Sequence, residues 1–320
     1  MLEAAKTARV VSIPMRTRFR GITVRECLLF QGPEGWAEWS PFLEYPDPTS
    51  AIWLQAAMEF AHSTPELNRN RIGINATLPA VSPGEVAEAL APFGKFRTVK
   101  IKVAEPSQKM SDDLARIRKV RELFPEARIR LDANGGYTEA AAMQLGYRLA
   151  NEGIVLDYFE QPVAEIDGLA NIRPALNAKG IKIAADESVR QVSDPLAVAQ
   201  ANAADLLVIK VAPLGGIQSA LKTVKLSGLP AVVSSALETS IGISMGLHLA
   251  GALPMLDYDC GLGTVALLTD DVCEQSLIAV DGWLEARRVT PSEAKLAALA
   301  ASAERTEWWM ARLGRCLELL

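Results

Sequence analysis

Two lysines and three carboxylic acids recur at regular intervals through the middle of the chain. The order is base, acid, acid, acid, base, at steps of 24 to 30 residues: Lys102, Asp132, Glu160, Asp186 and Lys210. Each of them ends a short run that is rich in β-forming residues. Because the C-terminal ends of the strands in a parallel barrel share one face, we expect these side chains to form one site.

The three acids predict a metal site. Carboxylates gathered in one barrel mouth repel one another strongly unless a cation lies among them. Oxygen ligands suit Mg²⁺, with Mn²⁺ as a substitute, and the absence of a histidine or cysteine beside them disfavours zinc. Each acid alone could instead cap a helix or pair with a lysine. Three at consecutive strand ends favour a metal ion bound by Asp132, Glu160 and Asp186.

The lysines predict proton transfer. Lys100 and Lys102 are two residues apart and therefore face the same side of their strand. A lysine inside a barrel is unfavourable without a partner, so both could form structural salt bridges with the acids. We interpret Lys102, which lies nearer the strand end, as a general base. Lys210 should approach from the opposite side, because its strand lies four positions further round a ring of eight.

Three other polar residues could contribute to this site, and we expect only one of them to do so. Asn134 follows Asp132 by two positions and is expected to orient a ligand or a loop group, although simple turn chemistry in DANGG explains it nearly as well. The two histidines, His62 and His248, lie away from the predicted strand ends, and we expect both to be structural. Proton abstraction by histidine at the barrel mouth is therefore disfavoured.

The pattern of elements predicts an α/β fold with two parts. Short β-rich runs alternate with longer helical runs from about residue 72 to 270, and eight strands are what a closed barrel needs. The predicted strands are IGINA, TVKIKV, ARIRLDA, LDYFEQ, IKIAAD, DLLVIKV, AVVSSA and DYDCGLG. Residues 1–71 read as a small α+β unit, completed by a long helix within residues 271–320. We expect a TIM-like (β/α)₇β barrel, with this capping domain packed over its mouth.

Composition narrows the classes of partner. The 320 residues carry a formal net charge of −5, which argues against a nucleic-acid surface. No segment reads as a membrane span or a secretory signal, which predicts a cytoplasmic location. The four cysteines are scattered without a CxxC spacing, so we expect reduced thiols. A small-molecule carboxylate is the expected partner, and the sequence does not decide between a monomer and an oligomer.

The motifs together resemble the enolase superfamily and, within it, the muconate-lactonising subgroup. The resemblance rests on Lys100-x-Lys102, Asp132-x-Asn134, Glu160-Gln161-Pro162, Asp186-Glu187-Ser188 and Lys210, in this order and at these spacings. It implies that Lys102 and Lys210 flank the α-carbon of a substrate carboxylate. It also implies that the three acids bind Mg²⁺, which holds that carboxylate and stabilises an enediolate.

Within the subgroup, the chain is most similar to the actinobacterial o-succinylbenzoate synthase family. The similar stretches are RTRFRGITVRE, GWAEWSPFLEY, VVSSALETS and CGLGT. The implied reaction is dehydration of 2-succinyl-6-hydroxy-2,4-cyclohexadiene-1-carboxylate to 2-succinylbenzoate in menaquinone biosynthesis. The resemblance also implies substrate contacts from Lys100, Asn134, Ser234, Gly261 and Arg20, the last within a loop that closes over the succinyl tail.

The sequence leaves other functions open. Dipeptide epimerases of the subgroup hold a substrate ammonium with an Asp-x-Asp pair at the last strand, and this chain has Asp257 and Asp259 there. A lysine pair also suits racemisation, so the alternative is an N-acylamino-acid racemase or a dipeptide epimerase. A Schiff-base lyase would leave the three acids unexplained, because it needs no metal. A non-catalytic metal-binding barrel would leave the lysines unexplained.

Overall fold

Strands and helices alternate along the chain in the computed structural model, which describes residues 6–189 and 194–320. The strands are β1 Arg9–Phe19, β2 Ile22–Gly32, β3 Gly35–Trp39, β4 Arg71–Gly73, β5 Ala76–Leu78, β6 Thr98–Lys102, β7 Arg128–Asp132, β8 Leu156–Glu160, β9 Ile183–Ala185, β10 Leu206–Ile209, β11 Ala231–Val233 and β12 Trp283–Glu285. The α-helices are α1 Asp47–His62, α2 Val86–Leu90, α3 Met110–Leu123, α4 Glu139–Asn151, α5 Ile166–Asn177, α6 Asp194–Gln200, α7 Ile217–Ser227, α8 Ser240–Ala252, α9 Glu293–Ala298 and α10 Ala303–Leu317.

The central sheet confirms the predicted (β/α)₇β barrel. Seven strands, β5 to β11, pair in chain order, and every pairing between them is parallel. A short segment then takes the place of an eighth strand. Gly261 bridges to Ser234 just beyond β11, and Cys260 bridges to Ile74 just before β5, both in parallel. These two bridges join the edges of the sheet.

The first barrel strand differs from the prediction. A single strand over residues 72–76 was expected, but β4 pairs antiparallel with β12 and the parallel strand starts at Ala76. The carbonyl of Gly73 accepts from the amide of Cys260, and a Cβ at Gly73 would lie 2.1 Å from Oδ1 of Asp259, so glycine is needed there. Asn75 also turns inward, donating to the carbonyl of Ala76 and accepting from Arg130. Tertiary contacts therefore divide this segment.

The C-terminal segment forms two helices where one long helix was predicted. The break falls between α9 and α10, where the chain pairs with β1. The amide of Ser12 donates to the carbonyl of Leu299 at 2.9 Å, and Ala301 donates to Val10 at 3.0 Å. These hydrogen bonds give the edge of β1 an extra partner and interrupt the helix. The C-terminal chain is thus tied to the N-terminal sheet.

The N-terminal sheet is an antiparallel meander of β1, β2 and β3. Arg20 and Gly21 form the tip of the β1–β2 hairpin with φ of 51° and 78°, the two left-handed positions of a type I′ turn. Helix α1 packs on β3, and α10 packs on α1. Trp309 of α10 is fully buried, and its ring meets that of Trp39 edge to face at 5.3 Å. This tryptophan therefore packs in the core.

The cysteines form no disulfide bonds in the described residues, and no described helix could span a membrane. All four cysteines, at positions 27, 260, 273 and 316, are free and buried. Within the part of the chain that the structure describes, no helix combines the length and apolar character required to cross a bilayer. The boundaries 1–71, 72–270 and 271–320 stay a prediction.

Candidate active site

The strand ends bring the predicted residues to one place. Lys102, Asp132 and Glu160 are aligned by the register of β6, β7 and β8. Asp186 directly follows β9, and Lys210 directly follows β10. A cavity of about 60 Å³ lies at these ends. Nine of the ten residues predicted for the site line it: Arg20, Lys100, Lys102, Asp132, Asn134, Asp186, Lys210, Ser234 and Gly261. Glu160, the tenth, is fully buried.

Each lysine of the cavity contacts an acid. The ammonium of Lys100 lies 3.0 Å from Oδ2 of Asp132 and 2.9 Å from Oε1 of Glu160, so it bridges two carboxylates. Lys102 donates to Asp132 Oδ2 and to Asn134 Oδ1, both at 2.6 Å. Lys210 forms an ion pair with Asp186. The salt bridges considered as an alternative therefore form in two groups, one around Asp132 and one between Lys210 and Asp186. Together the three acids and three lysines make one charged cluster at the strand ends.

The charges of this cluster are unevenly balanced. Burial acts to raise the pKa of Asp132, but Lys100 and Lys102 outweigh it and hold that pKa below its ordinary value. Burial likewise opposes the charge on Lys100, yet Asp132 and Glu160 raise its pKa. For Glu160, burial and the charge of Asp132 together raise the pKa, and Lys100 does not compensate fully. A further positive charge beside Glu160 would therefore favour its ionised form.

The donor set fits a divalent metal. The three acids end adjacent strands, β7, β8 and β9, and carboxylate oxygens are the donors that Mg²⁺ prefers. In residues 6–189 and 194–320, no three His, Cys, Asp or Glu side chains are already arranged around a common point. Lys100 lies between Asp132 and Glu160 instead, while Lys102 and Lys210 each contact one acid. Asp132, Glu160 and Asp186 are the residues that would hold the metal.

The N-terminal sheet and the chain that follows it supply one wall of the cavity. Phe19, at the end of β1, lies with its ring centre 5.2 Å from Nζ of Lys102. The guanidinium of Arg20 stacks on Phe42 at 3.9 Å and donates to the hydroxyl of Tyr45 at 2.8 Å. Arg20 also lines two neighbouring cavities, of about 1040 and 410 Å³. It stands where all three cavities meet.

Sequence reasoning missed several lining residues. Phe42 comes from the segment after β3, and Leu237, which has a φ of 66°, comes from the loop after β11. Glu187 accepts a hydrogen bond from Nδ2 of Asn134 at 3.0 Å and so connects two strand ends. Glu187 directly follows a predicted metal ligand, a signal that could have marked it. Phe42 carried no such signal, because only the tertiary fold brings it to the barrel.

The Asp-x-Asp pair lies outside the cavity. Asp259 contacts Arg97 at 2.5 Å and Arg128 at 2.8 Å, where β6 and β7 begin, and it accepts from the hydroxyl of Thr98. Its carboxylate is therefore at the opposite end of the barrel from Lys102. Asp257 is exposed. This pair does not occupy the position that an ammonium-binding site would need.

The histidines take no part in the cavity. His248 is buried in α8 with Nδ1 2.7 Å from the carbonyl of Ser244. His62 ends α1, is exposed, and has Nδ1 2.9 Å from the carbonyl of Met58. Both contacts are local helix contacts, in agreement with the structural role expected for them.

Comparison with known proteins identifies the family. The model for enolase N-terminal domain-like proteins matches residues 10–61, and that for enolase C-terminal domain-like proteins matches residues 84–291. The o-succinylbenzoate synthase of Mycobacterium tuberculosis (strain ATCC 25618 / H37Rv) is 48% identical over 312 residues, covering 97% of this chain and 94% of that protein. The chain belongs to the o-succinylbenzoate synthase family. The o-succinylbenzoate synthase of Mycobacterium ulcerans (strain Agy99) is 47% identical over 313 residues, covering 98% and 94%.

The fold of this o-succinylbenzoate synthase family member is similar to that of solved muconate lactonising enzymes. The enzyme from Pseudomonas fluorescens, complexed with muconolactone, has a TM-score of 0.78 at 21% identity over 92% of this chain and 98% of that one. The L-Ala-D/L-Glu epimerase from Bacillus subtilis has a TM-score of 0.76 at 22% identity over 89% and 96%. These likenesses establish the fold. The predicted superfamily is confirmed, and the chain is an enzyme of the lyase class.

Proposed function

We propose that the chain catalyses the metal-assisted syn dehydration of 2-succinyl-6-hydroxy-2,4-cyclohexadiene-1-carboxylate to 2-succinylbenzoate in menaquinone biosynthesis. Similarity to o-succinylbenzoate synthases along nearly the whole chain supports this proposal. The observation that carries it is the pair Lys102 and Lys210 in one cavity, on strands four positions apart, with three acids ending the strands between them.

The two lysines have different roles in this reaction. Lys102 takes the proton from the α-carbon and then donates it to the departing hydroxide, which leaves as water. One C–H bond and one C–O bond break, and the ring becomes aromatic, so Lys102 returns to its starting state. Lys210 remains a cation beside the developing enolate and stabilises its charge. The link of Lys102 to Asn134 supports this assignment, because it fixes the position of the amine.

The acids provide the metal site of this proposal. Members of the superfamily use a divalent metal, and we assign Mg²⁺, with Mn²⁺ as a substitute. Asp132, Glu160 and Asp186 would hold it. When bound, the metal supplies positive charge that stabilises the substrate carboxylate while the α-proton leaves.

The remaining predicted residues are assigned to substrate contacts. Lys100 and Asn134 lie beside the acids, and Ser234 and Gly261 face each other across the junction of the sheet. A Cβ at Gly261 would lie 2.7 Å from Oγ of Ser234, so glycine allows these two segments of the cavity wall to approach closely. Arg20, at the junction of the three cavities, would pair with the carboxylate of the succinyl tail.

The proposal also includes a division into two domains and a location in the cell. Residues 1–71, completed by 271–320, form the cap, and residues 72–270 form the catalytic barrel. Phe19, Arg20 and Phe42 support this division, because they come from the N-terminal part and line the barrel cavity. We further propose a cytoplasmic enzyme that acts on a small carboxylate and has neither a nucleic-acid nor a membrane partner.

A direct assay tests the activity. The purified protein with Mg²⁺ is given the cyclohexadiene acid, and in parallel the two enantiomers of N-succinyl amino acids in D₂O. We expect rapid dehydration, and any deuterium exchange should be slower. Efficient racemisation without dehydration would replace the proposal by its alternative, an N-acylamino-acid racemase. The placement of Asp257 and Asp259 outside the cavity already disfavours a dipeptide epimerase.

A further inference from the structure

A fully buried ion pair lies on the helix that follows the strand of Lys102. Asp113 and Arg116, one turn apart on α3, are 1% and 0% exposed, and their charged atoms are 2.5 Å apart. Neither residue lines the catalytic cavity. A buried ion pair is weak evidence for stability, because burial removes both charges from water. We therefore infer the role of this ion pair from its hydrogen bonds to neighbouring strand ends.

Arg116 connects the ends of two strands. Its Nη2 donates to the main-chain carbonyl of Lys102 at 3.0 Å. Its Nη1 donates to the carbonyl of Val81, beyond β5, at 2.8 Å and to Oε1 of Gln108 at 2.9 Å. One rigid guanidinium thus fixes the backbone of the proposed base, the loop after it and the loop of the preceding strand. A lysine has the charge but not the planar fork that makes these contacts together.

Asp113 extends the connection to a third strand end. Its Oδ2 accepts from the amide of Ala104 at 3.1 Å and from the hydroxyl of Tyr137. Ala104 has a φ of 62°, a left-handed conformation that alanine rarely adopts without support. Tyr137 follows the turn that contains Asn134, to which Lys102 donates. The pair therefore supports Lys102 from its own carbonyl and from the loop that holds its hydrogen-bond partner.

We propose that Asp113 and Arg116 are positioning residues. They hold the main chain at Lys102 so that the amine of Lys102 points at the α-carbon of the substrate. The inference rests on the proposed function insofar as Lys102 is the base. Displacement of a reacting group by about 1 Å can lower a rate about 100-fold even when substrate still binds. Loss of the pair should therefore reduce kcat much more than it changes KM.

The test compares Arg116→Lys and Asp113→Asn with Arg173→Lys. Arg173 is a matched control, because it also pairs with an acid, Asp205, and donates to a main-chain carbonyl, that of Asn202, before β10 begins. Measurements are kcat, KM, thermal unfolding and the kinetic isotope effect with substrate deuterated at the α-carbon. We expect about a 100-fold loss of kcat for the first two variants, a KM within threefold, and a larger isotope effect. The control should keep its kcat and isotope effect.

A milder variant distinguishes a positioning effect from a loss of folded protein. Tyr137→Phe removes only the hydroxyl that Asp113 accepts, and it should lower kcat about tenfold with the same increase in the isotope effect. The positioning role is wrong if activity falls only in proportion to the folded fraction while the isotope effect is unchanged. Lys102→Ala separates the two proposals. If that variant dehydrates the substrate normally, the base assignment fails; if it is inactive while the Arg116 and Tyr137 variants match the native enzyme, only the positioning role fails.

Discussion

At the scale of single residues, three charged side chains of the candidate site lie at one level of the barrel. Lys102, Asp132 and Glu160 stand in one register because a parallel strand places its last inward residue at the same height as its neighbour's. The spacing of these residues in the sequence predicts such positions. It does not predict that Phe42 and Leu237 line the cavity, because an apolar residue near a turn can pack in many places. Only the tertiary structure shows that these two residues form part of the cavity wall.

The first prediction concerns the unequal lysines. Lys102→Ala should abolish both dehydration and exchange of the α-proton, because no other group is assigned to carry that proton. Lys210→Arg keeps a cation but changes its shape and reach, so we expect a loss of about 10²–10³-fold. Dehydration kinetics and deuterium wash-in measure both effects. The exposed Lys222, changed to alanine, is the control. Equal losses of α-proton exchange in both lysine variants would indicate two proton carriers and a racemase.

The second prediction concerns the pH dependence of stability at Glu238. Burial and the charge of Glu38 raise the pKa of Glu238 to about 7, from 4.5. The folded state therefore favours the protonated acid, and this contribution is present below pH 4.5 and lost as pH rises through 7. Glu238→Gln stays neutral and can still accept from the amide of Ala236. It should stabilise the protein by about 3 kcal/mol at pH 8 and not at pH 4.5.

Chemical denaturation at the two pH values measures this difference. Glu88→Gln, at an exposed position, should show the same stability as the native protein at both. A Glu238→Gln variant with no gain at pH 8 would mean that the ionised carboxylate is adequately solvated or paired.

At the scale of elements, hydrophobic runs and spacing predicted the barrel strands, and long-range hydrogen bonds decided the exceptions. The expected C-terminal helix breaks because Leu299 and Ala301 pair with β1, almost three hundred residues earlier in the chain. The first barrel strand is divided because its first residues pair with β12, from the C-terminal part of the chain. Local propensity carries no information about either contact. The alternation of strands and helices, by contrast, is local and repeats along the chain.

The third prediction concerns the hairpin that carries Phe19 and Arg20. Gly21 occupies a left-handed position with φ of 78°, and a Cβ there would meet no other atom within 4 Å. Gly21→Ala should therefore destabilise the protein by about 1 kcal/mol through backbone strain alone. Gly84 is the matched control, because it has equal space but no left-handed φ. Gly84→Ala should be neutral or slightly stabilising, and equal effects of the two changes would contradict the turn assignment.

At the scale of the whole molecule, the proposed metal site lies among buried acids. Burial and the charge of Asp132 raise the pKa of Glu160, so a further cation beside it would favour its ionised form. Binding a divalent cation in the native state alone should raise stability by mass action. If the proposed metal site is correct, folding and metal binding are coupled.

The fourth prediction follows from that coupling. Mg²⁺ at a hundredfold excess over its Kd should raise the free energy of unfolding by about 2.7 kcal/mol, and exhaustive chelation should abolish activity. Asp132→Asn should lose the Mg²⁺-dependent stabilisation. Asp257→Asn, at an exposed acid outside the cavity, should keep it. Thermal unfolding with and without Mg²⁺ measures the shift, and full activity after chelation would contradict the metal assignment.

The pairing of β4 with β12 has a consequence for how such a molecule can be altered. The chain enters the barrel at Arg71–Gly73 and leaves it beside that point at Trp283–Glu285. The segments outside these two crossings are joined to each other, since Val11 bridges to Ala300 and α10 packs on α1. In gene-engineering terms, the barrel is an inserted domain whose two ends are adjacent in space. A homologous barrel exchanged at these two crossings would join the N-terminal sheet without a new linker. Chimaeras cut there should fold, whereas chimaeras cut within the barrel should not.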